Sequence, residues 1–308
     1  MKILHGWKNL ADADKGAAVA LGNFDGVHLG HQRVIEEAGQ AAARLGAPLG
    51  VISFEPHARM HFQPDAPPFR LMTSRQLAAT VARLGAERLY ILPFGAEMAN
   101  FSDHDFVRDV LVGALAVRHV AVGFDVTFGR GRTGDPASMR RYGEAFGFSV
   151  SVAPALEAAG VKISSSSIRD ALREGRPEAA ATALGRPFAI EGVVQKGRQL
   201  GRRLGFPTAN VPLGDYVAPR FGAYATRTRL GDGRELAGVA NIGVNPTTGE
   251  VPPRLEVWLF DFDEDIYGEI IETDLIAFLH PEEKFPSIDA MVEQIRRDEG
   301  RARAMLGT

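Results

Sequence analysis

The chain contains no cysteine. That removes disulfides, thiolate metal ligands and a cysteine nucleophile together, and it agrees with a reducing compartment. No run approaches the roughly 18 consecutive apolar residues that a membrane helix needs. The opening residues, Met1-Lys2-Ile3-Leu4-His5-Gly6-Trp7-Lys8, lack both an apolar signal core and a small-residue cleavage site. The expectation is a cytoplasmic protein without a membrane partner. An excess of basic charge is also missing. With 35 Lys and Arg against 38 Asp and Glu, a net charge of −3, nothing suggests a nucleic-acid binder. A glycine-rich stretch near the N-terminus does not continue into the Gly-Lys-Ser/Thr of a Walker loop, which excludes that class of phosphate site.

What is present is ordinary globular material: 308 residues, 45% hydrophobic and 24% charged. At roughly 100–200 residues per domain, that length suits two domains. In the first, 1–185, short apolar runs at 17–24, 49–54, 88–94, 119–124 and 148–154 read as strands. They alternate with amphipathic stretches at 31–45, 74–84, 103–115 and 137–146, and 167–184 is also helical in pattern. Val34, Ile35, Ala38, Ala42 and Leu45 recur at three- and four-residue steps on one helix face. Such alternation implies a Rossmann-like α/β domain with a parallel sheet, whose ligands bind at the carboxyl ends of the strands. In the second, 186–308, runs at 188–194, 222–229, 236–242, 255–262 and 270–279 are separated by Gly, Pro, Asp and Asn. They suggest a β-barrel or sandwich, of which an antiparallel β-barrel is the expectation, with one terminal helix at 287–306.

The segment Gly22-Asn23-Phe24-Asp25-Gly26-Val27-His28-Leu29-Gly30-His31 leaves the first of these strands and enters a helix. Gly22, Gly26 and Gly30 let the backbone turn tightly and approach a ligand. A helix starting near Leu29 turns its free N–H groups and positive dipole end on the loop, which favours an anion by typically 0.3–1 kcal/mol. His28 and His31, three apart around the helix start, are spaced to point both rings at one ligand. There they can donate to an oxygen gaining charge as a phosphate bond breaks. Either histidine alone is an ordinary polar residue. The H-x-G-H spacing after a strand and a glycine-rich turn is what indicates nucleotidyl transfer.

This string resembles the H-x-G-H nucleotidylyltransferases and, in its fuller form, the FMN adenylyltransferase module of bacterial bifunctional riboflavin kinase/FAD synthetases. That superfamily acts without a covalent enzyme intermediate, by positioning substrates and stabilising phosphate charge. Three further stretches are similar to it. Ser53-Phe54-Glu55-Pro56-His57 matches an aromatic-Glu-Pro-His pattern, with Ala58 in place of a second Pro. Gly123-Phe124-Asp125-Val126-Thr127-Phe128-Gly129 resembles Gly-x-Asp-Phe-Arg-Phe-Gly, with Val126 and Thr127 replacing an aromatic and a cation. Asp125 remains as an acceptor for ribose or base. Ile163-Ser164-Ser165-Ser166-Ser167-Ile168-Arg169 resembles Ile-Ser-Ser-Thr-x-Ile-Arg. Serines there cap a helix in any case; the resemblance adds the β- and γ-phosphates at that N-terminus and a charge from Arg169. It implies His28 and His31 as catalytic residues. Gly22, Asn23, Phe24, Asp25, Gly30, His57, Asp125, Ser164, Ser165 and Arg169 would bind ATP.

A second constellation lies at 192–210. Gly197, Gly201 and Gly205 stand beside Lys196, Arg198, Arg202 and Arg203, a flexible basic loop able to wrap a triphosphate, although the same composition makes a solvated turn. In Pro207-Thr208-Ala209-Asn210 a hydroxyl and an amide are two apart, on one face if the chain is extended. Both are hard oxygen donors suited to Mg²⁺, though Thr-x-Asn alone is a common turn pattern. Further on, Glu256, Trp258 and Phe260 alternate on a strand, and a carboxylate among aromatics is inclined to accept a proton.

Gly205-Phe206-Pro207-Thr208-Ala209-Asn210 is similar to the Gly-Phe-Pro-Thr-Ala-Asn motif of riboflavin kinases. So are Gly222-Ala223-Tyr224, the segment Asn241-Ile242-Gly243-Val244-Asn245-Pro246-Thr247, and the strand around Glu256. The resemblance implies Glu256 as base toward the ribityl hydroxyl of riboflavin, with Thr208 and Asn210 holding Mg²⁺. Gly197, Gly201, Arg202, Gly205, Pro207, Tyr224 and Asn241 would contact ATP or flavin. One departure is His280, where the family has Arg. Asp261, Asp263 and Asp265 read as a solvated strand edge, and His5, His61, His104 and His119 as structural or surface residues.

The resulting expectation is a bifunctional enzyme that phosphorylates riboflavin to FMN and then transfers AMP from ATP to FMN, giving FAD and pyrophosphate. ATP is a co-substrate, Mg²⁺ serves both reactions, and no permanently bound prosthetic group is expected. Its partners would be riboflavin, FMN and ATP, with a weak homo-oligomer left open. Two rival readings are an H-x-G-H transferase for another phosphate compound, and a flavin-binding protein that has lost its chemistry. The first has no use for Thr208, Asn210 or Glu256, and the second has no reason to keep His28 and His31.

Overall fold

All four residues of the strand Ala18–Leu21 are buried, which only the middle of a sheet covered on both faces allows. The computed structural model describes residues 1–158, 160–197, 204–244 and 252–308, and its contacts divide the chain into two units. The first unit comprises Met1–Ala66 and Ser74–Ile163, the second Pro67–Thr73 and Ser164–Thr308. Among the described residues no helix is long and apolar enough to cross a membrane.

In the first unit, strands β1 (Lys2–His5), β2 (Ala18–Leu21), β3 (Leu49–Glu55), β4 (Arg88–Pro93), β5 (His119–Gly123) and β6 (Ser149–Ala153) form one sheet in the order β1-β4-β3-β2-β5-β6. Every pairing is parallel. The intervening helices are α1 (Leu29–Leu45), α2 (Ala58–Phe62), α3 (Ser74–Arg83), α4 (Ala96–Asn100), α5 (Asp103–Asp105) and α6 (Pro136–Phe146). A π-helical stretch, Phe106–Ala114, follows α5. Helix α1 buries Val34, Ile35, Ala38 and Ala42, the expected stripe, and stops at Gly46 in the left-handed region (φ 56°). From β2 the chain runs outward through β3 and β4, then returns to place β5 on the other side of β2. The strand order therefore reverses between β2 and β5, and the crevice beyond their carboxyl ends is where such sheets bind ligands. A two-stranded hairpin, β7 (Glu157–Ala158) and β8 (Val161–Lys162), closes the unit.

In the second unit, α7 (Ser165–Arg173) and α8 (Pro177–Leu184) precede six antiparallel strands. These are β9 (Phe188–Val193), β10 (Thr208–Pro212), β11 (Gly222–Arg229), β12 (Glu235–Gly243), β13 (Arg254–Leu259) and β14 (Ile270–Pro281). They curl into a half-barrel in the order β10-β13-β12-β11-β14-β9, with an isolated bridge from Gln195 to Asn210 at its open side. One face carries Val257, Ala209, Ala240, Tyr224 and Leu275 into a core shared with Ile168 and Leu184. The opposite face carries Ala223, Ala225, Ala237 and Val239 under the terminal helix α9 (Ile288–Leu306), which buries Ala302 and Leu306 there. Small residues on that face let the helix lie close to the sheet.

The 167–184 pattern is two helices, because Gly175 adopts φ 74° and Pro177 starts the second. Strand β13 ends at Leu259, so the three aspartates do not alternate on a strand: Asp261 lies in a turn, Asp263 and Asp265 in irregular chain. Asp261 is paired with Arg303 of α9 at 3.0 Å.

His119 is buried at the start of β5, with Nδ1 2.8 Å from Ser149 Oγ and Nε2 3.0 Å from Ser151 Oγ. Burial, helped by the charge of Arg44, pushes its imidazole down to about 4. Because the folded value lies below the unfolded one, the neutral ring favours the fold. Its contribution is complete above about pH 6.5 and is lost as the pH falls toward about 4, on the order of 3 kcal/mol. In thermal melts from pH 7 to pH 4, the wild-type midpoint should fall more steeply than that of His119→Gln; parallel curves would remove His119 from the acid response.

Candidate functional site

At the switch point, β2 opens into the loop 22–28, which is almost entirely buried apart from Asn23. Phe24 (φ 51°) and Val27 (φ 42°) are both left-handed. For a β-branched residue this is strained, costing roughly 1–3 kcal/mol. The loop is held by its surroundings. The Phe24 ring lies 3.3 Å from where a Cβ on Gly22 would stand, and Ser53 Oγ donates to the Asn23 carbonyl at 3.1 Å. Gln32 Nε2 donates to the Val27 carbonyl at 3.0 Å.

His28 is the N-cap of α1: its Nδ1 accepts from the His31 backbone N–H at 3.3 Å. A neutral ring that accepts at Nδ1 carries its proton on Nε2. The His28 and His31 rings stack at 3.6 Å with 18° between planes, and the Phe24 ring meets the His31 ring edge-on at 5.3 Å. A Cβ on Gly30 would stand 3.1 Å from two atoms of the His28 ring, so this position needs the missing side chain. At the end of the neighbouring strand β3, His57 repeats the device, capping α2 through Nδ1 at 3.1 Å from the Arg59 N–H.

Two groups here were not picked out from the sequence. Lys162 donates to Asp125 Oδ2 at 2.7 Å and stands 4.5 Å from the centre of the Phe124 ring, placing a cation beside the loop that follows β5. Beyond β3 and β4, the rings of Phe54, Phe94, His61 and Phe62 meet at 5.2 to 5.8 Å, and Phe62 is 64% exposed. Phe54 and Phe94 are partly covered, and His61 and Phe62 carry the cluster to the surface.

In the half-barrel, the register sets Asn210 opposite Glu256, Glu256 opposite Asn241, Asn241 opposite Ala223, and Ala223 opposite His280. Opposed residues share a face. One row therefore holds a carboxylate between two amides, and next along the strands Thr208 is paired with Trp258. Trp258 packs edge-on against Phe206 and Phe260, at 4.9 and 5.1 Å. The His280 ring lies 2.9 Å from Asp298 of α9, tying β14 to the terminal helix. Beside the row is a cavity of about 160 Å³, whose lining includes Gly197, Thr208, Asn210 and the segment 262–267. No cluster of three His, Asp or Glu side chains suited to a metal occurs among the described residues; the cavity lining holds Thr208 and Asn210 together with Asp263, Glu264 and Asp265, and does not include Glu256.

A family model of FAD synthetase matches residues 10–167, and one of riboflavin kinase matches 184–306. The bifunctional riboflavin kinase/FMN adenylyltransferase of Escherichia coli K12 is 38% identical over 309 residues, covering 100% of this chain and 98% of that protein. The proteins of the same name from Pseudomonas fluorescens and Bacillus subtilis 168 are 39% and 37% identical, covering 99% and 97% of this chain and 98% and 96% of their own. The chain belongs to the bifunctional riboflavin kinase/FMN adenylyltransferase family. A crystal structure described as a macrolide-efflux protein from Streptococcus pneumoniae covers 98% of both chains, with a TM-score of 0.87 and 29% identity.

Of the residues that the family resemblance singles out, the structure gathers Gly22, Phe24, Asp25, His28, Gly30 and His31 in one loop and helix start. It sets Thr208, Asn210, Glu256 and Asn241 on one sheet face. Ser164 caps α7 through the Ser167 N–H, with Ser165 in the first turn. Arg169 is buried in the second unit, donating through Nε to the Phe69 carbonyl at 2.6 Å beneath the Phe69 ring. Tyr224 is turned to the core face, away from Glu256, and donates to the Arg220 carbonyl at 2.6 Å. Gly205 (φ 87°) and Pro207 are exposed. Gly201 and Arg202 lie outside the described residues, as do Arg198, Arg203 and Asn245-Pro246-Thr247.

A Cβ on Gly197 would fall 2.6 to 2.8 Å from the side-chain amide of Asn210, itself 7% exposed. Gly197→Ala must therefore displace Asn210. Riboflavin phosphorylation should fall roughly 10- to 100-fold, while conversion of added FMN to FAD is retained. Full kinase activity in this variant would show that Asn210 need not hold its place.

Proposed function

We propose that the family's two activities are divided between the units: adenylyl transfer to FMN at the β2/β5 crevice, and riboflavin phosphorylation on the half-barrel row around Glu256. The observation that carries this reading is that each unit holds its own reaction-capable cluster, stacked His28 and His31 in one and the Asn210–Glu256–Asn241 row in the other. We place the functional boundary near residue 185, as the motifs divide.

On the half-barrel, Glu256 accepts the proton of the ribityl primary hydroxyl as its oxygen attacks the γ-phosphorus of ATP. The bond to the β–γ bridging oxygen breaks, and ADP leaves. The carboxylate is half-buried, two residues along the strand from Trp258, which packs on Phe260. The oxygen-only donor set of Thr208 and Asn210 fits Mg²⁺, which neutralises phosphate charge when bound. The amides of Asn210 and Asn241 hold the row in register with the substrate oxygen.

In the α/β unit, an FMN phosphate oxygen attacks the α-phosphorus of ATP and pyrophosphate leaves, with no proton transfer needed. His28 Nε2–H and the free N–H groups of α1 stabilise the charge that builds on the phosphate. The aromatic group around Phe62 is suited to the isoalloxazine ring. Lys162 supplies the cation that Thr127 does not, held against Asp125. Ser164 and Ser165 are assigned to the ATP phosphates on the motif alone; by packing they belong to the second unit. Arg169 is assigned through its support of α7, given its bond to Phe69. A cytoplasmic setting fits a chain without cysteine.

The test is incubation with riboflavin, ATP and Mg²⁺ followed by chromatographic separation of flavins. Glu256→Gln should lower FMN formation by roughly 10²- to 10⁴-fold while added FMN still becomes FAD. His28→Ala should accumulate FMN and lower FAD formation by about 10²- to 10³-fold. Equal loss, in either variant, of FMN formation from riboflavin and of FAD formation from added FMN would refute the division.

A further inference from the structure

The turn between β11 and β12 carries an arginine whose donors converge on one loop. Arg234 donates through Nη1 and Nη2 to the two carboxylate oxygens of Glu264, at 2.6 and 2.8 Å. Its Nε donates to Asp232 Oδ2 at 2.6 Å, and its backbone N–H to Asp232 Oδ1 at 2.9 Å. Its guanidinium carbon lies 5.6 Å from the centre of the Phe262 ring. One planar group thus engages two carboxylates and an aromatic ring.

Phe262 and Glu264 belong to the segment 262–267, which lines the cavity that also holds Thr208 and Asn210. Residues 262–266 are irregular chain and have no strand ladder to fix them. Within the segment, Asp265 Oδ1 accepts from the Tyr267 N–H at 3.0 Å, an internal restraint that does not anchor it to the rest of the sheet. Ile266 is buried in the half-barrel core with Phe262 and Tyr267 packed against it, and Arg234 adds the polar anchor at Glu264 from a turn set by β11 and β12. A lone exposed ion pair would hold little. A bidentate fork fixes direction as well as distance, and Asp232 orients that fork from behind.

We propose that Arg234 is a positioning residue for the kinase, latching the cavity wall 262–267 in the place that receives the nucleotide. The proposal rests on reading this cavity as the kinase's nucleotide site. Arg234 does not line the cavity and acts through Phe262 and Glu264. A wall already in place need not be ordered when nucleotide binds, so the latch contributes to affinity and leaves the phosphoryl-transfer step alone.

In the full chain, Arg234→Gln should raise the kinase KM for ATP about three- to fivefold with kcat within about twofold. The KM for ATP in FMN-to-FAD conversion should not move. Glu264→Gln should give the same rise, and the double variant no more than either alone. Arg234→Lys should recover only part, since it keeps the charge and loses the fork. Hydrogen exchange of 262–267 in nucleotide-free protein should quicken in Arg234→Gln. Unchanged exchange, or additive effects in the double variant, would overturn the latch. Faster exchange with an unmoved KM would leave the latch standing and overturn the cavity as the nucleotide site, and with it the role given to Arg234.

Discussion

In the half-barrel, pairing β10 with β13 and β13 with β12 places Asn210, Glu256 and Asn241 side by side, and the two-residue period of a strand makes them share a face. A slip of one residue in β13 would turn Glu256 into the core and bring Val257, which is fully buried, out to the amides. The apolar packing of Val257, Ala209 and Ala240 on the inner face therefore fixes the chemistry on the outer one. The same rule sends Tyr224 inward. Its neighbour Ala223 takes the outer position between Asn241 and His280, where its small side chain is covered by the terminal helix.

The α/β unit solves the corresponding problem with a buried loop. Left-handed Phe24 and Val27 would be unfavourable in a free chain, and they persist because Phe24 and Val27 are almost wholly buried. What the strain secures is the entry angle of α1. His28 caps that helix with one ring nitrogen, so the side chain fixes the helix start. The stack on His31 and the edge contact with Phe24 leave the imidazoles little rotational freedom. A preorganised donor of this kind loses little on meeting a developing charge.

Much of this was legible in the sequence, for identifiable reasons. Strands β2 to β5 are largely buried apolar runs, and α1 shows its stripe over 17 residues. Strand β1 escaped because it is a four-residue edge strand with only Leu4 buried, too short for a pattern. Helices α2 and α4 have five residues each, less than two turns, so no period can show. Lys162 and Asp125 are 37 residues apart, and no local pattern links them. Alternation separated Tyr224 from Ala223 but could not say which faced the core. Strand β14 compounds this, because irregular register opposite Ala223/Tyr224 and Ala225/Thr226 shifts its parity along its length.

Chain order and packing also answer different questions. By motif, residues up to about 185 belong with the first constellation. By contact, α7, α8 and the excursion Pro67–Thr73 belong to the second unit. Leu71, Ile168, Leu172, Ala180 and Leu184 share one core with Phe188 and Ile190 of the half-barrel. The excursion is stitched there by its backbone, Arg70 N–H donating to the Asp215 carbonyl and Val217 N–H to the Arg70 carbonyl, each at 2.8 Å. Thr73 adds a bond to Glu191 at 2.8 Å, and Arg169 grips Phe69. The buried guanidinium of Arg169 thus finds its carbonyl partner on a segment that the chain supplied about a hundred residues earlier. A motif arginine that would ordinarily be solvated is instead spent on joining two parts of one chain. The serine-capped start of α7 thus belongs to a helix anchored in the half-barrel core.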